Sequence, residues 1–376
     1  MSTCFSVGMR LAGGGGGDRA FQAARGLRLG GYVQRLYASS SATNQFSDVL
    51  RSMGVLGRAA RYAVYRSHSA LASHGHDVLF DRWVAAQLRP CALFHGHMLH
   101  ALASLQRARR QGAIALLDRG MSHPRQYAAM LAEEYARWGV DRPTDALWLR
   151  RSVEEIDAAD LLLVGSEAAA RTHVEQGYPA DRLLTIPYGV DTQRFRPGAG
   201  ASARPFRVLF VGQLAVGKGL GYLLQAWEQL GWRDAELYLV GNMSPETRPA
   251  LASLLELPGV CVAGYNRHPE EAYRAADIFC LPSLSEGSAM VTYEAMASGL
   301  PMVVTAETGA LARDGCEALL VSARDATGLA RALEQLREDR ALRERLGAAA
   351  RARAQVFTWE QYGRALVALY DRLLER

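Results

Sequence analysis

Two glutamates that lie eight residues apart, Glu286 and Glu294, have the spacing that most directly indicates chemistry in this sequence. The apolar run 277–281 predicts a buried strand, residues 282–287 predict its exit loop, and residues 288–298 predict a helix. Glu286 then lies in the loop and Glu294 lies about two turns into the helix. A carboxylate at position 294 suits a diol such as ribose, because it can accept two hydroxyl hydrogen bonds.

The start of this predicted helix is a candidate phosphate site. Backbone N–H groups in a first helical turn have no partner within the helix, and the helix dipole favours negative charge there. Gly287, Ser288 and Ala289 are small enough to admit a phosphate. Residues on one helical face are predicted to look into the same cavity, namely Gly287, Met290, Val291 and Glu294.

The segment 286–301 reads EGSAMVTYEAMASGLP and resembles the E-x7-E signature of the retaining GT-B glycosyltransferases of family 4. The resemblance implies an α/β fold of two facing Rossmann-like domains, each a doubly wound parallel sheet, with a cleft between them. It also implies that Glu286 holds hydroxyl groups of a donor sugar and acts in catalysis, and that Glu294 holds the ribose. The nucleotide base is then expected near Gly264 and Tyr265.

A second strand, loop and helix pattern opens the latter half of the chain. Residues 207–211 predict a strand, and the loop from Gly212 to Gly219 leads into a helix, which is a layout that cradles phosphates. Lys218 lies in this loop and is the single lysine among 43 basic residues. Lysine is a compact charge that an arginine fork does not replace at a crowded phosphate, although chance survival of one lysine is the alternative.

The same loop departs from the family that it resembles. Many members carry an arginine at the position of Gln213, where it pairs with the nearby lysine to hold the diphosphate. Gln213 can donate a hydrogen bond but carries no charge. Gly212, Gln213 and Lys218 are therefore predicted to bind the donor, and Lys218 together with the helix start at 287–289 is predicted to stabilise the leaving group.

Three histidines follow the predicted strand 92–95, and three interpretations of them are open. His95, His97 and His100 bind a metal, or form a structural pair, or include a donor or base that faces the cleft. No carboxylate or cysteine nearby in sequence completes a tetrahedral metal set. The resemblance favours the cleft, because family 4 enzymes often carry H-x-H here with the second histidine, His97, near the transferred sugar.

Candidate acceptor contacts fall in two places in the first half of the chain. A run of five glycines at 13–17 lets a ligand approach the backbone of Gly14, Gly15 and Gly16, and a floppy turn is the equal alternative. Asp118, Arg119 and His123 cluster where another strand ends. They are predicted to meet the acceptor, and a solvated loop with local ion pairs is the alternative.

Short apolar runs alternate with amphipathic stretches in both halves, which predicts parallel sheets with crossover helices. We predict an acceptor-side domain at 1–196, a nucleotide-sugar-binding domain at 206–357, and a last helix at 358–376 that crosses back to the first domain. Residues 41–80 are less periodic and predict an insertion or a helical pair.

Composition narrows the class of protein. With 376 residues, 49% of them apolar and 22% charged, the chain is long enough for two cores. The net charge of +5 is spread along helices, so nucleic acid is not expected as a partner. Five scattered cysteines predict buried, reduced thiols. No run of 18 apolar residues and no signal pattern occurs, which predicts a cytoplasmic protein, and contact with the inner face of the membrane stays open.

The function predicted from these features is transfer of a sugar from a nucleoside diphosphate sugar to a hydroxyl of a glycan, a lipid-linked intermediate or a small metabolite, as in polysaccharide biosynthesis. No D-x-D motif occurs, so no metal and no cofactor beyond the donor itself is expected. Two alternatives are open: a sugar-nucleotide epimerase of the same fold, and a nucleotide-binding scaffold subunit. The uncharged Gln213 is the reason to consider the scaffold subunit.

Overall fold

The computed structural model describes residues 2–12, 16–67, 70–142, 145–198 and 204–375. Gly14 and Gly15, which are acceptor candidates, lie outside the described residues. The first half forms one parallel sheet, and its elements run as follows: β1 (Thr3–Leu11), α1 (Gly16–Leu29), β2 (Val33–Ser41), β3 (Leu50–Ser52), α2 (Gly54–Ser67), α3 (Ala70–Gln87), β4 (Leu93–His97), α4 (Leu102–Arg110), β5 (Ile114–Asp118), α5 (Pro124–Arg137), α6 (Ala146–Ala158), β6 (Leu161–Val164), α7 (Glu167–Glu175) and β7 (Leu183–Thr185).

The second half forms a second parallel sheet with the same alternation of strands and helices. Its elements are β8 (Phe206–Val211), α8 (Leu220–Leu230), β9 (Ala235–Val240), α9 (Thr247–Ala250), α10 (Ala252–Leu255), β10 (Val260–Gly264), α11 (Pro269–Arg274), β11 (Ile278–Leu281), α12 (Met290–Ala297), β12 (Met302–Thr305), β13 (Ala318–Val321), α13 (Ala326–Glu338), α14 (Arg340–Ala354) and α15 (Trp359–Leu374). The predicted fold class of two doubly wound parallel sheets is confirmed.

The order of strands fixes where a ligand can bind. The first sheet has seven strands in the order β3-β2-β1-β4-β5-β6-β7, and the second has six in the order β10-β9-β8-β11-β12-β13. Chain order reverses between β1 and β4 in one sheet and between β8 and β11 in the other. Crevices of open parallel sheets lie outside the carboxyl ends of the strands at such a reversal. The loops that follow these four strands are therefore the ones that build a site.

Two local predictions differ from the structure. The strand predicted at 92–95 extends to His97, because β4 is paired on both sides, with β1 and with β5, and its last pair is His97 with Asp118. The cysteines were predicted to be buried, and this is wrong for Cys261 and Cys316, which are exposed. The less periodic region 41–80 contains α2 and most of α3, a pair of helices.

The last helix, α15, packs against α1 of the first sheet at a close backbone approach. A Cβ atom built on Gly26 would lie 2.4 Å from the Cα of Gly363, so the two helices meet at paired glycines. Tyr370 of α15 reaches further and contacts His95 in β4 through a hydrogen bond of 2.9 Å. Within the described residues, no helix is long and apolar enough to pass through a membrane.

We expect Gly26→Ala to destabilise the protein by about 2–4 kcal/mol, because the added methyl group must push α15 away from α1. Gly75→Ala is the matched control, since a Cβ at this position in α3 meets no atom of the described residues within 4 Å. The control should gain up to about 1 kcal/mol from helix propensity. Urea unfolding of the two variants measures both effects, and equal stabilities would contradict the close packing.

Candidate active site

The two switch loops of the second sheet are in direct contact. Leu284 N–H donates to the carbonyl of Gly217 over 3.1 Å, which ties the loop after β11 to the loop after β8. Gly219 has φ +71°, and a Cβ there would lie 1.9 Å from the carbonyl oxygen of Pro282. Only glycine fits this position, because the backbone is left-handed and the neighbouring backbone is in contact. Gly219, the residue after Lys218, thus allows the backbones of the two loops to be in close contact.

Lys218 and Glu286 form an ion pair across these loops. Ser283 donates its hydroxyl hydrogen to Oε1 of the same carboxylate over 3.0 Å. The side chains of Lys218 and Glu286 are 28% and 16% exposed, so both reach solvent at the mouth of the loops. The structure therefore brings together a cation and a carboxylate that lie 68 residues apart in sequence.

The helix predicted to begin at Ser288 begins at Met290, with Ala289 as its N-cap. Among the described residues no side chain caps this helix start. Ser288 is buried, and its hydroxyl lies 2.8 Å from that of Tyr293. The carbonyl of Gly287 accepts a hydrogen bond of 2.5 Å from Ser166, a residue of the first sheet's half. The start of α12 therefore contacts the opposite domain, and the N–H of Ala289 already donates to the carbonyl of Thr308 over 2.9 Å.

Glu294 lies in the middle of α12 and accepts a hydrogen bond of 2.8 Å from the hydroxyl of Tyr273. Burial raises its pKa to about 7, against the lowering effects of Tyr273 and Arg194. The carboxylate of Asp18, at the start of α1, adds to this rise. The first turn of α1 is thus near Glu294.

Opposite this loop, the carboxyl ends of β4 and β5 hold a buried charge network. Arg19 in α1 is 4% exposed, and its Nη1 donates to both oxygens of Asp118 over 2.6 Å. The ring of Tyr188 lies 4.8 Å from the Arg19 guanidinium. The Arg19 charge lowers the pKa of Asp118, and the Asp118 charge raises the pKa of Arg19, so both stay ionised although burial opposes both charges.

His97 belongs to this network and not to the cavity described below. Arg19 Nη2 lies 2.6 Å from His97 Nε2, and because a guanidinium only donates, Nε2 accepts. Nδ1 therefore carries the hydrogen, and it has no partner among the described residues. Burial and the Arg19 charge lower the pKa of His97 to about 3, and burial lowers that of His95 to about 4. Both rings are neutral and buried, a placement that suits a structural pair.

The acceptor candidates of β5 and the following loop lie in the interior. Asp118, Arg119 and His123 are 1%, 0% and 5% exposed, so the alternative of a solvated loop is wrong. The reason is that α5, α6 and α7 cover the end of β5. Arg119 Nη1 lies 3.4 Å from the Ser152 hydroxyl, and within the described part of the chain Nε and Nη2 have no hydrogen-bond partner. Burial lowers the pKa of Arg119 to about 10 and that of His123 to about 4.

A cavity of about 400 Å³ lies between the two halves, and Glu286 lines it. Ser122 and Ser285 both line it and are hydrogen-bonded to each other, with their hydroxyl oxygens 2.5 Å apart. Arg324 lines the far end, and its Nε donates to Glu134 of α5 over 2.6 Å. Glu134 is fully buried and also accepts from Tyr222 of α8 over 2.8 Å. This carboxylate joins the first half of the chain to the second beside the cavity.

The remaining donor candidates stand around the switch loops. Gln213 follows β8, and its amide donates to the Ser244 hydroxyl over 2.8 Å. Gly264 ends β10, and Tyr265 after it is 67% exposed. Met290 and Val291 form the first turn of α12, and Gly16 forms the start of α1. The exposed ring of Tyr265 is available for stacking with a flat ligand.

Solved structures share this arrangement over their whole length. Sucrose-phosphate synthase from Thermosynechococcus elongatus matches with a TM-score of 0.72 and 20% identity, and the match covers 100% of both chains. HepE from Anabaena, in complex with UDP-glucose, matches with a TM-score of 0.69 and 16% identity over 99% of this chain and 100% of that one. Two parallel-sheet domains with their switch loops turned toward a shared cleft define the class of proteins with the GT-B fold.

Sequence relatives identify the family within that class. A family model described as glycosyl transferases group 1 matches residues 205–339. The D-inositol 3-phosphate glycosyltransferase of Geodermatophilus obscurus is 31% identical over 341 residues, which cover 84% of this chain and 67% of that protein. Other curated relatives of the same description are matched over 54% to 60% of their length. The chain belongs to the glycosyl transferases group 1 family.

Sequence reasoning missed three residues that hold this site together: Arg19, Glu134 and Tyr273. Arg19 lies two residues after the glycine run, which is a signal that could have found it. Glu134 lies on the face of α5 that also carries Met130 and Trp138, so helical periodicity placed a carboxylate among apolar residues. Tyr273 gave no signal, since its contact with Glu294 depends on how α11 and α12 pack.

We expect Asp118→Asn to destabilise the protein by about 3–5 kcal/mol, because it leaves the buried Arg19 charge unpaired. Asp48→Asn is the matched control, since Asp48 pairs with Arg28 at the surface and its side chain is 59% exposed. The control should show no measurable change. Urea unfolding at pH 7 measures the difference, and a tolerated Asp118→Asn would show that the pair is not needed for folding.

We expect Glu294→Gln to stabilise the ligand-free protein at pH 8 and to leave it unchanged near pH 4. The folded-state pKa of about 7 exceeds the ordinary value of 4.5, so folding disfavours the ionised form. The contribution of Glu294 to the free energy of unfolding of the wild type then falls by about 1–3 kcal/mol as pH rises from 4.5 to 7. Above pH 7 this contribution stays level. Urea unfolding at both pH values tests this, and equal stabilities of variant and wild type at pH 8 would contradict it.

Proposed function

We propose that this protein is a retaining, family 4 glycosyltransferase that moves a hexose-type unit from a nucleoside diphosphate sugar to an acceptor hydroxyl, without a metal at the diphosphate. The ion pair of Lys218 with Glu286, at the mouth of the interdomain cavity, is the observation that carries the proposal. Each partner has a different task once a donor arrives. Lys218 turns to the diphosphate, and Glu286 turns to the hydroxyl groups of the sugar.

Departure of the diphosphate builds negative charge on its oxygens, so the site must offer positive potential there. Lys218 supplies a full charge, and the start of α12, which no described side chain caps, supplies the backbone N–H groups of Met290 and Val291. Gln213 adds a neutral donor that is already oriented by Ser244. In the ligand-free protein Glu286 neutralises Lys218, which keeps the cation partly desolvated without leaving it unpaired.

Glu294 and Tyr265 complete the donor site in this proposal. Glu294 accepts hydrogen bonds from the ribose diol, and Tyr273 holds its carboxylate in place from the other side. The ring of Tyr265, exposed at the end of β10, lies against the base. A relative of this fold was solved with UDP-glucose, which makes UDP-sugars the first donors to test.

The acceptor enters from the first domain, through the cavity lined by Ser122 and Glu286. The relative from Geodermatophilus obscurus is named a D-inositol 3-phosphate glycosyltransferase. Small phosphorylated polyols are therefore the first acceptors to test. His97 contributes through the network of Arg19 and Asp118, which holds the end of β4 in place. This role differs from direct contact with the sugar.

Binding is tested by thermal stabilisation of the purified protein with UDP, GDP and ADP and with their glucose-type sugars, in EDTA. We expect one nucleotide to raise the melting temperature, and Lys218→Met to remove most of this rise. Glu236→Gln, which alters a part-buried ion pair between β8 and β9, is the control, and the nucleotide should raise its melting temperature as much as that of the wild type. If no nucleotide shifts the melting temperature, the donor site does not exist as proposed.

Transfer is tested with the nucleotide that binds and its sugar. We expect Lys218→Met to lower kcat by about 10- to 1,000-fold, because a charged contact to the leaving group is lost. Glu286→Gln should weaken binding of the nucleotide sugar and leave binding of the free nucleotide unchanged, whereas Glu294→Gln should weaken both equally. Binding without transfer to any acceptor would favour the scaffold alternative, and turnover of the nucleotide sugar without an acceptor would favour an epimerase.

A further inference from the structure

His100, the third histidine after the predicted strand 92–95, is separated from His95 and His97 by the fold. It lies 7% exposed in the turn between β4 and α4, and its ring packs against the backbone of Gly8 in β1. Its partners come from α3, where His76 and Asp77 are neighbours in sequence. The ligand-forming atoms of these three residues lie within 4.8 Å of one another.

The hydrogen bonds of His100 fix which ring nitrogen is available. Nδ1 lies 2.8 Å from the carbonyl oxygen of Met98, and because a carbonyl only accepts, Nδ1 carries a hydrogen. Nε2 lies 3.2 Å from Oδ1 of Asp77. In the neutral ring, a lone pair on Nε2 faces a carboxylate oxygen. Two acceptors in contact require a cation between them, either a proton or a metal ion.

His76 adds a second imidazole to the same carboxylate oxygen. Its Nδ1 lies 3.3 Å from Oδ1 of Asp77, and its Nε2 is buried without a partner among the described residues. Ligands 2.0–2.1 Å from a tetrahedral zinc ion lie about 3.3–3.4 Å from each other. Both separations at Asp77 match this edge length within about 0.2 Å.

Asp81 lies one turn further along α3 and is a carboxylate whose hydrogen bonds come from protein N–H groups, which makes it a comparison for Asp77. Its oxygens accept from the N–H groups of Ala103 and Ser104 over 2.7 and 2.9 Å, and from Arg151 over 2.7 Å. Asp77 instead faces the two imidazoles, and its side chain is 18% exposed. That opening provides an entry path and room for a water as a fourth ligand.

We propose that His76, Asp77 and His100 bind one divalent transition-metal ion, with zinc as the best fit to two imidazoles and one carboxylate. The hydrogen bond from His100 Nδ1 to a backbone carbonyl is the usual outer-sphere support of a metal-binding histidine. The ion fastens α3 to the turn after β4. His76, Asp77 and His100 do not line the cavity that Glu286 lines, and the role of the ion is structural.

The test is titration of the untagged full-length protein, freed of metal with EDTA and then dialysed, with Co²⁺ as the probe. We expect one Co²⁺ per chain with the intense visible bands of tetrahedral cobalt, and displacement by one equivalent of Zn²⁺. Asp77→Asn and His76→Gln should each weaken Co²⁺ binding by about 100-fold or more. His74→Gln, on the same helix but outside the cluster, should bind as wild type.

Zinc should also raise the melting temperature of the wild type and of His74→Gln, and leave that of Asp77→Asn unchanged. Absence of the tetrahedral cobalt bands overturns the proposal and leaves His100 as an imidazolium paired with Asp77. Bands that persist in both Asp77→Asn and His76→Gln also overturn it, since the ion then binds elsewhere. Nucleotide stabilisation in EDTA is measured separately, so failure of one proposal is distinguishable from failure of the other.

Discussion

The buried ion pair of Arg19 with Asp118 is the interaction on which the first half of the structure depends. It joins the first turn of α1 to the end of β5, and His97 in β4 accepts from the same guanidinium. Two charges in the interior are costly unless geometry and hydrogen bonds compensate. Here both carboxylate oxygens are used, so α1 can begin in only one position relative to the strand ends.

The same pair explains how the last helix is integrated. Tyr188 lies against the Arg19 guanidinium. Nε2 of His95 lies 3.9 Å from Asp118, and Nδ1 of the same ring is hydrogen-bonded to the hydroxyl of Tyr370 in α15. A helix that follows the second domain in sequence thus completes the interior of the first. Glu134, which accepts hydrogen bonds from Tyr222 and Arg324, is a second connection between the two halves of the chain.

Three carboxylates at the cleft differ in their partners and in their pKa. Glu286 is paired with the single lysine, Glu134 is satisfied by fixed donors, and Glu294 has a raised pKa that keeps a large fraction of it neutral near pH 7. Burial of Glu294 costs stability in the ligand-free protein, which is typical of groups retained for binding. Glu286 remains available because its partner is a flexible lysine.

The sequence by itself determined the two parallel sheets, the strands predicted at 207–211 and 277–281 and the helix predicted at 288–298 to within two residues, the loops that hold Lys218 and Glu286, and the helix that holds Glu294. These features depend on local periodicity and on glycine positions, which a linear pattern records. Tertiary structure alone decided that Lys218 pairs with Glu286, that Tyr273 supports Glu294, and that His97 and Asp118 turn inward to Arg19. It also brought Asp77 to His100, a carboxylate that no spacing near the histidines indicated. Each of these contacts joins residues from separate crossover units, and their partners are set by strand order and helix packing rather than by any repeat in the chain.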